Sequence, residues 1–249
     1  MRVIEKKADI DFVRRVTQFA NSQNAVRPAD LVGTDTLIIE LKRRLLNLNY
    51  FLETRRGDYK AEKASLGNTI KLLATLKEAA QACASCFIQI PGVAKKDTTK
   101  LFLSKEDGGF FDSIFTHHTT PEQLIMAIAL MRTVKKFRSK IEETPSIAPA
   151  WLPHSDFFLA ALFFQLYFDI KKVRDKTYLS KFSKWLISDD NHGEPFKYYE
   201  KTIKRVNKVV VKKEKVYGYS HPKYFKTQIE YESSLKKAFS KTPKQFSND

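Results

Sequence analysis

The chain has 249 residues, 43% of them hydrophobic, and carries 44 Lys or Arg against 28 Asp or Glu for a formal net charge of +16. That composition is enough to bury a core, and the excess charge attracts polyanions, nucleic acid (DNA or RNA) before any other partner. The longest apolar run, around Phe157 to Phe168, is broken by Gln165 and falls short of the ~20 residues of a spanning helix, and the opening MRVIEKKADID lacks an export signal. No membrane partner is expected, and the expected location is the cytoplasm.

Arg2 to Glu5 reads as a short strand at the very start, and Ile10 to Ala20 as a helix capped by Asp9. A polar loop with Pro28 and Gly33 follows. A second helix is expected from about Asp35, with Leu37, Ile38, Leu41, Leu45 and Leu48 on one face, and then an aromatic strand, Tyr50 to Glu53, with a turn around Gly57. Ile70 to Ile88 carries apolar and small residues at helical intervals and predicts one long helix, stopped by Pro91 and Gly92. Phe110, Phe111, Ile114 and Phe115 suggest a short docked helix. Pro121 suits a first helical turn, and Leu124 to Ile141 shows the clearest helical periodicity of the chain. Residues 144–153 hold three prolines and form a connector, and His154 to Phe168, apolar nearly all round, predicts a central helix. From residue 169 onward there are 20 Lys or Arg against 10 Asp or Glu, a net +10, together with enough aromatics to fold. The expected architecture is mainly α, an irregular multi-helix bundle with a minor two-stranded sheet. The divisions expected are an incomplete α+β portion over residues 1–66, a helical body over 67–168 and a basic, aromatic-containing helical region over 169–249.

The run FANSQNAVRPADLVGTDTLIIELKRRLLNLNYFLETRRGDYK carries three motifs in order: Asn21, Ser22, Gln23 and Asn24; Asp30 and Leu31; and Tyr50, Phe51, Glu53, Arg55, Arg56 and Gly57. In this it resembles the abortive-infection phage-resistance (AIPR) family, in which a helix ends in an Asn-rich loop and a later helix leads to an aromatic strand ending in a basic turn. The likeness continues through LATLKEAAQACASCFIQIPGVA and FFDSIF and fades past Phe168. An upstream Asn-Gly-x-Gln-Thr motif of the family is missing, so the resemblance implies the C-terminal part of the conserved module, with its N-terminal part supplied by a partner half-protein or lost. A strand at Arg2 to Glu5 then implies an apolar face of Val3, Phe12, Val16 and Phe51 open to that partner.

Several residues admit two chemical readings. Asn21, Gln23 and Asn24, with Arg27 nearby, either read a base edge or phosphate or cap the preceding helix. Arg55, Arg56, Lys60 and Lys63 make either a phosphate-binding turn or a solvated one. Glu53-Thr54-Arg55 has the outline of half a restriction-type nuclease site, needing Mg²⁺ and a second acid such as Asp30 or Asp35. Cys83 and Cys86 have CxxC spacing without a second pair or a nearby His, and read as two small residues on a buried helix face; no metal site is expected. His117 and His118 fall in a loop, and His154 reads as a helix-start or packing residue. No P-loop, GxGxxG or Gly-x-Ser-x-Gly occurs.

The expected function is phage defence by a nucleic-acid-contacting scaffold without cofactor or activity of its own. Lys204, Arg205, Lys212 and Lys213 would meet phosphates, and Tyr198, Tyr199, Tyr217, Tyr219 and Tyr224 would stack on bases. The alternatives are a metal-dependent nuclease subunit using Glu53 and an inactive gene remnant.

Overall fold

The computed structural model describes residues 32–67, 69–143, 149–188, 193–217, 225 and 228–236, without the side chains of 213–217, 230 and 234. The expected strand at Arg2 to Glu5, the helix at Ile10 to Ala20 and the face of Val3, Phe12 and Val16 lie outside these residues.

Asp35 accepts the Leu37 N–H at 2.8 Å and so caps α1, Thr36–Leu46, which buries Ile38, Leu41 and Leu45. Asn49, with φ 62°, turns the chain into strand β1, Tyr50–Glu53, whose Phe51 and Leu52 are fully buried. Phe51 is covered by the Tyr59 ring at 5.4 Å and by the Lys42 ammonium at 4.3 Å, so it offers no open apolar face. Helix α2, Asp58–Leu66, buries none of its side chains and serves as the crossover to β2, Lys71–Thr75. β2 pairs parallel to β1, with Phe51 opposite Leu72 and Leu52 opposite Ala74 across an irregularity in register. Two strands alone are marginal in water. Here β2 also packs against α6, Pro121–Glu142, and the Arg132 guanidinium of α6 donates to the Leu73 carbonyl.

The expected helix from Ile70 to Ile88 is corrected in its first six residues: Ile70 precedes the strand and Lys71–Thr75 form β2. Leu72, Leu73 and Ala74 suit either period, and pairing with β1 decides the matter. Helix α3, Leu76–Cys83, begins only after a capping box in which Thr75 and Glu78 satisfy each other's backbone N–H groups. It widens into a π-helical turn, Ala84–Ile88, that ends at Gln89 with φ 63°. Pro91 does not stop this helix: it opens the next, α4, Pro91–Lys96. The docked aromatic turn forms α5, Phe111–Ile114, with Phe111, Ile114 and Phe115 buried.

Thr120 and Gln123 form a second capping box at the start of α6, with Pro121 in the first turn. Helix α7, Asp156–Tyr167, buries Phe158 through Phe164 and lies at the centre, touched by α3's π turn, α4, α6 and α9, Glu194–Tyr217. Helix α8, Lys176–Ile187, packs on α6, and Trp185 and Phe182 join Phe163 and Phe168 of the centre. The last described segment, α10 Gln228–Glu230 and the π turn Tyr231–Lys236, returns to α4 and α7. Phe225 stacks on Trp151 at 5.0 Å, and Tyr231 meets Phe158 edge-on at 5.8 Å and donates to Gln89 Oε1 at 2.7 Å. One continuous apolar cluster thus runs from Val32 to Leu235. Among the described residues no helix is long and apolar enough to cross a membrane.

Candidate functional site

Helix α9 shows how the basic end of the sequence is organised. Phe196, Tyr199, Ile203, Val206 and Val210 point into the core, which fixes the rotation of the helix about its axis. The opposite side then carries Lys197, Lys201, Lys204, Lys208 and Lys212, all exposed and spaced by three or four residues. At 100° per residue these five fall within an arc of roughly 80°, and at 1.5 Å per residue they span about 22 Å. Among the described residues none of the five forms an ion pair, and the Lys201 ammonium lies 5.1 Å from the Tyr198 ring.

Of the residues expected here, Lys204 and Lys212 stand on this stripe. Arg205 is half-buried beside Tyr167, whose hydroxyl pKa is raised by burial against the opposing pull of the Thr202 hydrogen bond and the Arg205 charge. Lys213 lies in the helix, with its side chain outside the description. Tyr199 cannot stack on a base, because it is fully buried and touches the Phe137 ring at 5.5 Å. Tyr198 packs between Tyr167 and Trp185, at 4.9 and 5.7 Å. The side chains of Tyr217, Tyr219 and Tyr224 are outside the described residues. Lys197, Lys201 and Lys208 were missed, although their period was visible in the sequence.

The other cationic group, Arg55, Arg56 and Lys60, is exposed on the turn from β1 into α2. Acidic side chains build that turn: Asp58 Oδ2 accepts the Arg55 N–H at 2.9 Å and the Thr54 hydroxyl at 3.2 Å, and Glu53 Oε1 accepts the Gly57 N–H at 2.9 Å. Gly57, at φ 91°, takes a conformation that other residues rarely adopt. Glu53 is therefore engaged locally and Asp35 is a helix cap, and among the described residues no three potential ligands converge on a metal position. Asn21, Gln23, Asn24, Arg27 and Asp30 lie outside the description.

Cys83 and Cys86 are both buried, and burial pushes the Cys83 thiol up to about 12 and Cys86 well up, away from the thiolate that metal binding or redox exchange needs. His117 and His118 are exposed in the turn before α6. His154 is exposed as well, and its contribution is its carbonyl, which accepts from Lys95 Nζ at 2.6 Å, rather than side-chain packing.

A cleft of about 860 Å³ opens between α6 and α8, with Tyr50 of β1 and Leu73 of β2 in its lining. It brings together Arg132 from α6 and Lys176, Lys181 and Lys184 from α8, none of which sequence reasoning singled out.

No curated protein and no solved structure matches the chain. The family model described as AIPR protein matches residues 1–207, reaching past Phe168 through α8 and into the lysine stripe of α9. The match covers more than half of the 249 residues, and the chain belongs to the AIPR family, the abortive-infection phage-resistance proteins.

Proposed function

We propose that, within the phage-defence role that its family carries, this chain contacts nucleic acid, with α9 lying along the phosphate backbone. The observation that supports this reading is the row of exposed lysines at residues 197, 201, 204, 208 and 212, without ion-pair partners among the described residues. Lysines 4.5 to 6 Å apart along a helix axis, roughly, are close enough to follow successive phosphates. Each phosphate neutralised releases condensed counterions, so affinity falls steeply with salt and depends little on sequence. A row of point charges also suits this mode better than base reading, which calls for side chains in fixed bidentate geometry.

Deleting everything after Phe168 would strip α8 and α9 from the core, so charge removal is the cleaner test. The triple variant Lys204→Gln, Lys208→Gln, Lys212→Gln keeps the buried face of α9 intact. Its expected effect is a log affinity against log salt slope shallower by about 2 to 3 than that of the parent chain, on duplex DNA or single-stranded RNA. An unchanged slope with unchanged affinity removes α9 from the interface.

A further inference from the structure

We propose that the cleft between α6 and α8 binds a nucleoside phosphate, with the base on its apolar floor and the phosphates on its lysine wall. This goes beyond the α9 contact and stands on different residues. The cleft, about 860 Å³, is of the size that small-molecule sites have, roughly 300–1,000 Å³. Tyr50, Leu73, Ile125 and Ile128 give it flat and branched apolar surface. Lys181 and Lys184, one turn apart on α8, are exposed and without an ion pair among the described residues.

The polar groups are unevenly placed. Glu122, in the first turn of α6, holds Lys176 with Oε1 at 3.6 Å, which fixes it at the amino-terminal end of α8. Lys181 and Lys184 stand five and eight residues further on, about 8 and 12 Å along the helix axis. The second Glu122 oxygen, Oε2, is shielded from solvent and has no hydrogen-bond partner. A shielded acceptor without a donor is costly and uncommon.

Glu122 lines the cleft, and a small turn of its carboxylate exposes the unpaired oxygen there, so a ligand that completes the cleft brings an N–H to that carboxylate, an apolar body to the floor and an anion to Lys181 and Lys184. A simple phosphate meets only the last demand and is repelled by Glu122, and a fatty acid brings no donor. A nucleobase with an exocyclic amine, joined through its sugar to phosphate, meets all three across a matching span. A free nucleotide and an unpaired nucleotide within a strand share that chemistry.

Calorimetric titration of the full chain with ATP, GTP, UTP, inorganic triphosphate and a short unstructured oligonucleotide separates these sources. One saturable site is expected for ATP and GTP, or for the oligonucleotide alone if the natural source is a strand. Lys181→Gln with Lys184→Gln should weaken it at least tenfold, from the loss of two charge-assisted contacts. Glu122→Gln should weaken the nucleotides while leaving inorganic triphosphate unaltered, a pattern that a general loss of folding would not give. Lys204→Gln, Lys208→Gln, Lys212→Gln should leave free-nucleotide binding unchanged, so failure of the α9 reading and failure of this one are distinguishable. Absence of binding to nucleotides and oligonucleotide alike overturns the proposal. So does binding indifferent to the Lys181 and Lys184 changes, or inorganic triphosphate binding as tightly as ATP and GTP.

Discussion

Cys83 shows how far a single residue's setting governs its chemistry. Its thiol is fully buried and its pKa rises from 9.0 to about 12, so it stays neutral in the folded chain at pH values where the unfolded chain ionises. The stability this gives is complete below about pH 9 and is lost as pH rises toward 12. Cys86 shifts the same way, and above pH 10 the buried Tyr199 and Tyr231 add to the loss. Lys95, whose pKa is lowered by burial, works in the opposite direction below 10.5. Replacing both cysteines by Ala should therefore flatten the fall in melting temperature between about pH 9 and about pH 10, before the tyrosines contribute, and a fall as steep as the parent's would show that the thiols do not drive it. Glu53 was legible as an acid on a basic turn, but its bond to the Gly57 N–H depends on the turn itself. Glu53→Gln is expected to cost about 1 kcal/mol in stability and to leave nucleic-acid affinity unaltered. Plasmid DNA incubated with the chain in Mg²⁺ or Mn²⁺ should stay intact; cleavage that vanishes in this variant would restore the nuclease alternative.

Among the elements, α3 and α9 mark the two limits of what the sequence disclosed. The capping box Thr75-Leu76-Lys77-Glu78 was a readable start signal, yet the apolar pattern from Ile70 onward overrode it, and β2 went unseen because its partner β1 is some twenty residues away. Thr75→Ala should remove about 1 kcal/mol and lower the melting temperature by roughly 2–4 °C. Gly109 sets a similar constraint in the loop before α5: a Cβ there would sit 2.1 Å from the Leu103 carbonyl oxygen, while its N–H bonds Ser104 O at 2.7 Å. Gly109→Ala should cost about 1–3 kcal/mol by chemical denaturation, and a neutral result would mean that the loop gives way easily. In α9 the charge excess was legible from composition, whereas the ordering of lysines into one stripe follows from Tyr199, Ile203, Val206 and Val210 fixing the opposite face. α6 was readable because periodicity, cap and length agreed, and α7 because its unbroken apolar run could only be buried.

For the molecule as a whole, neither the cleft nor its contents could be read from the chain, since Tyr50, Leu73, Arg132 and Lys184 meet only through tertiary packing. The same holds for the return of the final segment to α7. Gln228 donates to the Gln89 carbonyl at 2.9 Å and accepts the Gly92 N–H at 3.1 Å, Lys95 binds the Phe225 carbonyl at 2.8 Å, and Phe225 and Tyr231 close over Phe158. On a ribosome adding roughly 5–20 residues per second, Phe158 is made some 4 to 15 seconds before Tyr231. For that interval the most apolar helix of the protein lacks its last cover, and a nascent chain in this condition is what chaperones bind and proteases clear. A message broken near its end, or cut during infection, would yield not a slightly shortened protein but one with its centre open to aggregation.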